Sequence, residues 1–205
     1  MSQNESDMSG VVLSEGVAAV PSGVGDAVGV SDRKWFVAIV GNNREKSAAE
    51  KLETLGFESF VASQEELRVW KNGRRKTVDR VLLPSTVFVH CTESERRRVV
   101  VNLPYINRFM TDRAARTEAS LNRPLAVVPD TQMVALRFML GRSDSPVTFT
   151  GEYVKGRKVK VIRGNLRGLE GEIIALPDGS SELVILIDAL GCAKVHINPI
   201  DVECI

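Results

Sequence analysis

The sequence has few of the residues that build disulfide frameworks and metal centres. It contains 3 cysteines and 2 histidines, and no two cysteines have the CxxC spacing of many zinc sites. His90 and Cys91 end an apolar run, where packing is a simpler role than metal binding. We therefore expect no metal, no cofactor and no disulfide, as in a protein of the reducing cytoplasm.

Long hydrophobic runs and enzyme motifs are also missing. No apolar run approaches the roughly 18 residues that a membrane span needs, and the N-terminus lacks the basic region of a signal peptide. We find no phosphate-binding loop, no suitably spaced cysteine–histidine pair and no recognisable pair of carboxylates. The sequence predicts a cytoplasmic protein that is not an enzyme and does not contact a membrane, and we expect a monomer.

Basic residues are absent from positions 1–32, which hold five acidic residues. Residues 33–205 therefore carry all 27 basic residues against 21 acidic ones. This excess of positive charge permits contact with nucleic acid. Since positions 1–32 also lack aromatic residues, we expect a disordered acidic tail there. A short strand in VVLSEGVAAV is the alternative.

The apolar pattern of residues 33–141 predicts an α+β domain. A buried strand at 34–40 precedes a helix that ends near Gly56, and another strand begins at Phe57. A long hairpin follows, with Asn72-Gly73 at its tip.

The second half of this domain continues the pattern. A strand ends at Cys91, and Thr92 and Glu95 form a capping box for a helix that reaches about residue 102. Two short strands follow, and then a helix that Asp130 caps and Gly141 ends. We expect helices packed on one sheet.

The C-terminal part has a different composition. Residues 142–152 are polar and predict a linker, and residues 153–205 hold four or five short strands that suggest a small barrel. Inside VIRGNLRGLEGEII, Gly164 ends one strand. We expect Gly168 and Gly171 to supply backbone angles that other residues adopt poorly.

Both parts resemble the NusG family of transcription elongation factors. The KOW motif of the family is similar to GRKVKVIRGNLRGLEGEII. The family's N-terminal domain is similar to KWFVAIVGNNREKSAAEKLETLGF, KNGRRKTVDRVLLPSTVFVHC and NLPYINRFM. The resemblance covers residues 33–205. The resemblance implies a NusG N-terminal α/β sandwich followed by a small SH3-like KOW β-barrel. The KOW residues are Val159, Val161, Gly164, Gly168, Gly171 and Ile173.

Two departures resemble a specialised member of the family. Leu83-Pro84-Ser85-Thr86 stands where the family has F-P-G-Y, and the acidic tail is long. The UpxY-type antiterminators of capsular polysaccharide loci fit best. The resemblance implies a factor that binds RNA polymerase and suppresses pausing and termination at specific long operons.

The resemblance also implies which residues hold the clamp helices of RNA polymerase. They would form an apolar depression from Phe36, Ile39, Leu83, Thr86, Phe88, Tyr105 and Ile106. Apolar anchors in a groove are a common way to bind a helix. The alternative is that they are ordinary core residues, because one face of each strand must be buried.

Basic and amide side chains suggest contact with non-template DNA or nascent RNA. They stand at a turn before the first helix and on the hairpin around Trp70: Asn42, Asn43, Arg44, Arg68, Lys71, Arg74, Arg75 and Lys76. Phosphate neutralisation and base stacking would explain them, and a solvated surface is the alternative. The run Arg96-Arg97-Arg98 likewise suggests either a polymerase contact or a solvated helix face.

In the family, the KOW domain binds the termination factor Rho or a small-subunit ribosomal protein. Some specialised members hold this domain in a helical form, but the many β-branched residues here favour strands. The alternative function is an RNA-binding, ribosome-associated KOW protein, which would leave the N-terminal domain unexplained.

Overall fold

The computed structural model describes residues 32–112 and 123–205. The predicted tail lies outside the described residues except for Asp32. The helices are α1 (Glu45–Thr54), α2 (Glu93–Arg98) and α3 (Asp130–Arg142), with 3-10 turns at Val100–Asn102 and Pro199–Asp201. The strands are β1 (Lys34–Val40), β2 (Glu58–Phe60), β3 (Ser63–Val69), β4 (Arg75–Val81), β5 (Thr86–Cys91), β6 (Ile106–Phe109), β7 (Val127–Val128), β8 (Thr148–Thr150), β9 (Arg157–Val161), β10 (Glu170–Ala175), β11 (Ser181–Ile187), β12 (Gly191–His196) and β13 (Val202–Cys204).

The N-terminal sheet is built around β1, which the sequence predicts as a buried strand. The order is β2-β5-β1-β6, and β7 pairs with the first half of β1. All pairings are antiparallel, with Val37 opposite Phe88 in the β1–β5 pair. The strand is apolar on both sides because both faces of this sheet are covered.

Successive residues of β1 enter two different cores. Phe36, Ala38 and Val40 pack with Leu52 of α1 on what we call the α1 face. Trp35 and Val37 pack with α3 on the opposite side, the α3 face. This alternation follows from the two-residue period of side chains along a strand.

Local sequence signals predict one helix end correctly and miss both ends of α3. The capping box is confirmed, since Thr92 Oγ1 accepts from the Glu95 N–H at 3.1 Å and Glu95 Oε2 accepts from the Thr92 N–H at 2.8 Å. Asp130 is the first residue of α3 and makes no side-chain cap, because Pro129 occupies the cap position. Gly141 does not end the helix, which continues to Arg142.

The predicted hairpin consists of β3 and β4, which pair from Ser63–Val81 at the base to Val69–Arg75 near the tip. Its tip contains Asn72 and Gly73, and Gly73 has φ 78°. The Gly73 N–H donates to the Trp70 carbonyl at 2.9 Å, and the Trp70 N–H donates to the Arg74 carbonyl at 2.8 Å. A left-handed glycine at this position is typical of a three-residue hairpin loop.

The strands of the C-terminal part all pair antiparallel, and together with the N-terminal sheet and its helices they confirm the predicted α+β fold class. Its order is β13-β9-β10-β11-β12-β8; we call it the C-terminal sheet. Residues 157–196 form four strands and the turns between them, with no helix. Strand β8 falls inside the segment 142–152 and pairs with β12.

One hydrophobic core joins the two sheets. Phe88 of the N-terminal sheet, Leu136 of α3 and Leu183 of the C-terminal sheet belong to the same cluster of buried residues. Helix α3 lies in this core and contacts β11. Helix α3 thus packs on the α3 face through Arg137 and on the C-terminal sheet through β11.

The described residues contain neither a metal cluster nor a long apolar helix. No group of three His, Cys, Asp or Glu side chains among them is placed to hold a metal ion. None of their helices is long and apolar enough to cross a membrane.

Burial raises the pKa of Cys91 to about 11 and also raises the pKa of Cys192, so both thiols remain protonated at neutral pH.

Candidate functional site

The seven residues suggested for the polymerase-binding depression divide between the two faces of the N-terminal sheet. Phe36 is 3% exposed and lies on the α1 face, where Ile106 is also buried and Tyr105 packs against the same core. Phe88 is 0% exposed and lies on the α3 face, where Leu83 packs against the core. The seven residues therefore do not form one open groove in this structure.

Four of the seven share the α3 face. Ile39 stands opposite Thr86, two residues along from the Val37–Phe88 pair, so these side chains point to the same side. The Thr86 hydroxyl donates to the Pro84 carbonyl at 3.1 Å and is buried. Ile39 is half-buried and is not among the side chains that pack against either core. The role of these four residues in polymerase binding stays a prediction.

An arginine that sequence reasoning missed fixes α3 on this face. The Arg137 guanidinium lies 4.6 Å from the Trp35 ring and 4.9 Å from the Phe60 ring. Its Nη1 donates to Glu58 at 2.8 Å. Burial opposes ionisation of Glu58, but the hydrogen bonds from Arg137 and His90 outweigh it, so the pKa of Glu58 is lowered. Arg137 and Glu58 are 79 residues apart in the chain, so no local motif signals the pair.

The hairpin presents an exposed basic surface. All five of its suggested contact residues are exposed, and Arg68 stands directly opposite Lys76. Like charges opposite each other destabilise a strand pair. Trp70 is 54% exposed beside them. Cations with an exposed indole suit a chain of phosphates and unstacked bases.

The turn before α1 lies close to the base of this hairpin. Asn42, Asn43 and Arg44 are exposed, and Asn43 has φ 58°, a left-handed conformation that asparagine tolerates. Lys46, in the first turn of α1, donates a hydrogen bond to Asp79 of β4. Burial raises the pKa of Asp79, but the hydrogen bonds from Lys46 and Ser63 and the charge of Lys46 together outweigh burial, so the pKa is lowered. The Lys46–Asp79 pair thus links the helix that follows the Asn42–Arg44 turn to strand β4 of the hairpin.

The run Arg96-Arg97-Arg98 is not a uniformly solvated face. The Arg96 side chain is 11% exposed, and its guanidinium lies 5.5 Å from the Phe36 ring and 5.2 Å from the Phe109 ring. Arg97 and Arg98 are exposed. Arg96 therefore closes the edge of the α1-face core.

Glu93 links this arginine run to acid stability. Hydrogen bonds from Arg96, and then from Arg97, lower the pKa of Glu93 from 4.5 to about 2. Because the folded pKa is depressed, the stabilisation is present above pH 4.5 and is lost as pH falls towards 2. We expect the urea midpoint of Glu93→Gln to fall less steeply than that of the unmodified chain across this range. Glu50→Gln, at an exposed position of α1, is the control; equal slopes for all three proteins would contradict the prediction.

The turn in the KOW-like segment depends on two glycines rather than three. Gly164 has φ 77° and Gly168 has φ 94°. Gly171 does not have a positive φ, which corrects the expectation that it supplies an unusual backbone angle. It lies in β10, and a Cβ there would stand 2.7 Å from the Val184 carbonyl oxygen. Gly171 is therefore required by close packing, while Val159 and Val161 fill the core beside it.

One family model matches the N-terminal part of the chain. The NusG family model, described as transcription termination factor nusG, matches residues 33–137, just over half of the chain. No curated protein matches. A solved structure of Thermotoga maritima NusG that concerns its domain interaction is 21% identical, with 84% of this chain and 97% of that chain covered and a TM-score of 0.42. The crystal structure of the MjSpt4:Spt5 complex in conformation A is 11% identical, with 83% and 97% covered and a TM-score of 0.25.

The family match includes the N-terminal sheet, α1, the hairpin, α2 and the first half of α3. A protein made only of an RNA-binding KOW domain would lack these elements. The chain belongs to the NusG family of transcription factors.

Proposed function

We propose that this chain is a transcription elongation factor that binds the clamp helices of RNA polymerase and suppresses pausing and termination. Its targets would be specific long operons, such as capsular polysaccharide loci. Membership of the NusG family supports the elongation role. The replacement of F-P-G-Y by Leu83–Thr86 supports the specialised form.

The observation that carries the proposal is the shared position of Ile39, Leu83, Thr86 and Phe88 on the α3 face. A partner helix needs a continuous apolar surface with a few anchors. Phe36 and Ile106 belong to the opposite face and support the fold instead. We therefore assign polymerase binding to the α3 face alone.

Binding at this face requires a rearrangement. Phe88 is fully buried, and α3 and the C-terminal sheet share its core. A clamp helix can reach the buried Phe88 only after α3, together with the C-terminal sheet that packs on it, has moved away. The apparent affinity for polymerase is then the intrinsic affinity multiplied by the fraction of molecules in which this movement has occurred, which we call the open form.

The hairpin and the Asn42–Arg44 turn would contact non-template DNA or nascent RNA. Their exposed cations and the exposed Trp70 support this assignment. The C-terminal sheet, once released, would act as the adaptor for Rho or for a small-subunit ribosomal protein. Pausing is suppressed if the factor binds the closed conformation of the polymerase clamp more tightly than its open conformation.

Ile39→Asp tests the polymerase-binding face. Ile39 packs against neither core, so the substitution places a charge on the α3 face with little effect on the packing of α3 and the C-terminal sheet, which we call the closed form. Burying an unpaired carboxylate at an interface costs about 2 kcal/mol or more. We expect core RNA polymerase to bind the variant about 30-fold more weakly in a fluorescence anisotropy titration.

Leu55→Asp is the matched control, since Leu55 is 52% exposed at the end of α1. It should bind polymerase as the unmodified chain does. Circular dichroism and urea midpoints establish that both variants are folded. Equal affinity of Ile39→Asp and Leu55→Asp would refute the assignment of the α3 face.

A further inference from the structure

One side chain at the base of the hairpin holds the segment that leads to the C-terminal sheet. Gln64 Nε2 donates to the Ser143 carbonyl at 3.2 Å and to the Ser145 carbonyl at 3.1 Å. Gln64 Oε1 accepts from the Val147 N–H at 2.8 Å. One glutamine thus uses both amide protons and its oxygen on three backbone groups. We call residues 143–147 the strap.

The strap is itself folded and anchored. The Ser143 hydroxyl donates to the Ser145 carbonyl at 2.7 Å, and the Ser145 N–H donates back to the Ser143 hydroxyl at 3.2 Å. Val147 is 1% exposed and belongs to the core that joins the two sheets. Loss of Gln64 would leave the Val147 N–H without its acceptor near this core, which is costly.

The strap connects the end of α3 to β8, at the edge of the C-terminal sheet. Two other polar bonds bridge the same parts of the chain. Asn165 donates to Asp144 of the strap at 2.7 Å. The Asp188 N–H, between β11 and β12, donates to Gln132 of α3 at 2.8 Å. Gln64 differs from both because it belongs to the hairpin.

The hairpin depends on contacts at its base for its orientation. Strands β3 and β4 pair only with each other in the described residues, and a two-stranded hairpin alone is marginally stable. Strand β4 is held through Asp79 and Lys46, and strand β3 through Gln64 and the strap. The bonds of Gln64 therefore order the hairpin and the strap at once.

We propose that Gln64 is a latch that makes the hairpin and the closed C-terminal sheet one cooperative unit. Release of the strap from Gln64 loosens the hairpin, and it also loosens the contact of the C-terminal sheet with α3. A ligand that reorients the hairpin then shifts the equilibrium between the closed and open forms. In return, closure of the C-terminal sheet changes the affinity of the hairpin for that ligand by the same factor. The inference concerns packing within this chain, and it stands or falls independently of polymerase binding.

Hydrogen exchange of individual amides in the full chain, followed by NMR, tests the latch. Three amides report on it: Val147 directly, Asp188 for the contact with α3, and Trp70 for the hairpin. In Gln64→Leu we expect exchange about tenfold faster at Val147 and several-fold faster at Asp188 and Trp70. Gln64→Glu keeps the acceptor for Val147 and loses both donors, so Val147 should exchange at an intermediate rate.

Glu65→Gln, at the neighbouring exposed position of β3, is the control and should leave all three rates unchanged. Amides of the β1–β5 pair should stay protected in every variant. If only Val147 accelerates, Gln64 is a local cap and the latch is refuted. Acceleration that extends to the β1–β5 pair would also refute it, because general destabilisation would then explain the result.

Discussion

Replacing Phe88 by alanine is expected to lower the free energy of unfolding by about 3–5 kcal/mol. The ring is 0% exposed, lies 6.0 Å from the Phe60 ring and sits in the core shared by the two sheets. Removing it leaves a cavity that the surrounding strands and α3 cannot fill. Urea denaturation followed by tryptophan fluorescence measures the loss, since Trp35 belongs to the same core.

Phe88→Leu is the matched control and should cost less than about 1.5 kcal/mol, because most of the apolar volume remains. A loss below about 1 kcal/mol for Phe88→Ala would mean that the ring is not enclosed as the structure shows. The result also governs how variants are interpreted. Weak polymerase binding by a Phe88 variant would reflect partial unfolding, whereas the same effect in Ile39→Asp would report on the surface.

Neutralising the hairpin is expected to abolish most binding of single-stranded nucleic acid. The change replaces five exposed cations by glutamine: Arg68, Lys71, Arg74, Arg75 and Lys76. If each contacts one phosphate, the slope of log affinity against log salt should become shallower by roughly 3.5 units. We expect about a 100-fold or greater loss of affinity at low salt, measured by fluorescence anisotropy with a labelled single-stranded oligonucleotide.

The control removes the same number of exposed cations from the C-terminal part: Lys155, Arg157, Lys158, Lys160 and Arg163. This variant should keep the affinity and the salt slope of the unmodified chain. The opposite pattern, with binding lost only in the C-terminal variant, would favour an RNA-binding KOW protein. Unchanged binding by the hairpin variant would show that its cations are only solvated.

Local signals in the sequence predict much of this fold. The apolar run of β1, the capping box of Thr92 and Glu95, and the Asn72-Gly73 tip each involve residues within a few positions of one another. Their physics is local, so the pattern alone is sufficient. The order of the elements then predicts the α+β class.

The candidate site was harder to predict because it depends on contacts distant in the sequence. Alternation along β1 separates Phe36 from Val37, but only the packing of α1 and α3 shows that both faces are covered. Arg96 belongs to a run of three arginines, and nothing in that run indicates that it lies over two phenylalanine rings. Gln64 is one polar residue in a polar stretch, and its partners lie about 80 residues away.

Single-round transcription by purified bacterial RNA polymerase tests the central claim most directly. The template carries one pause site and one terminator, downstream of the leader of the operon that encodes this chain. The account predicts shorter pausing and more read-through with the unmodified chain and with Leu55→Asp, and loss of both effects with Ile39→Asp. Unchanged pausing and read-through with the unmodified chain, under conditions where it binds polymerase, would contradict the account.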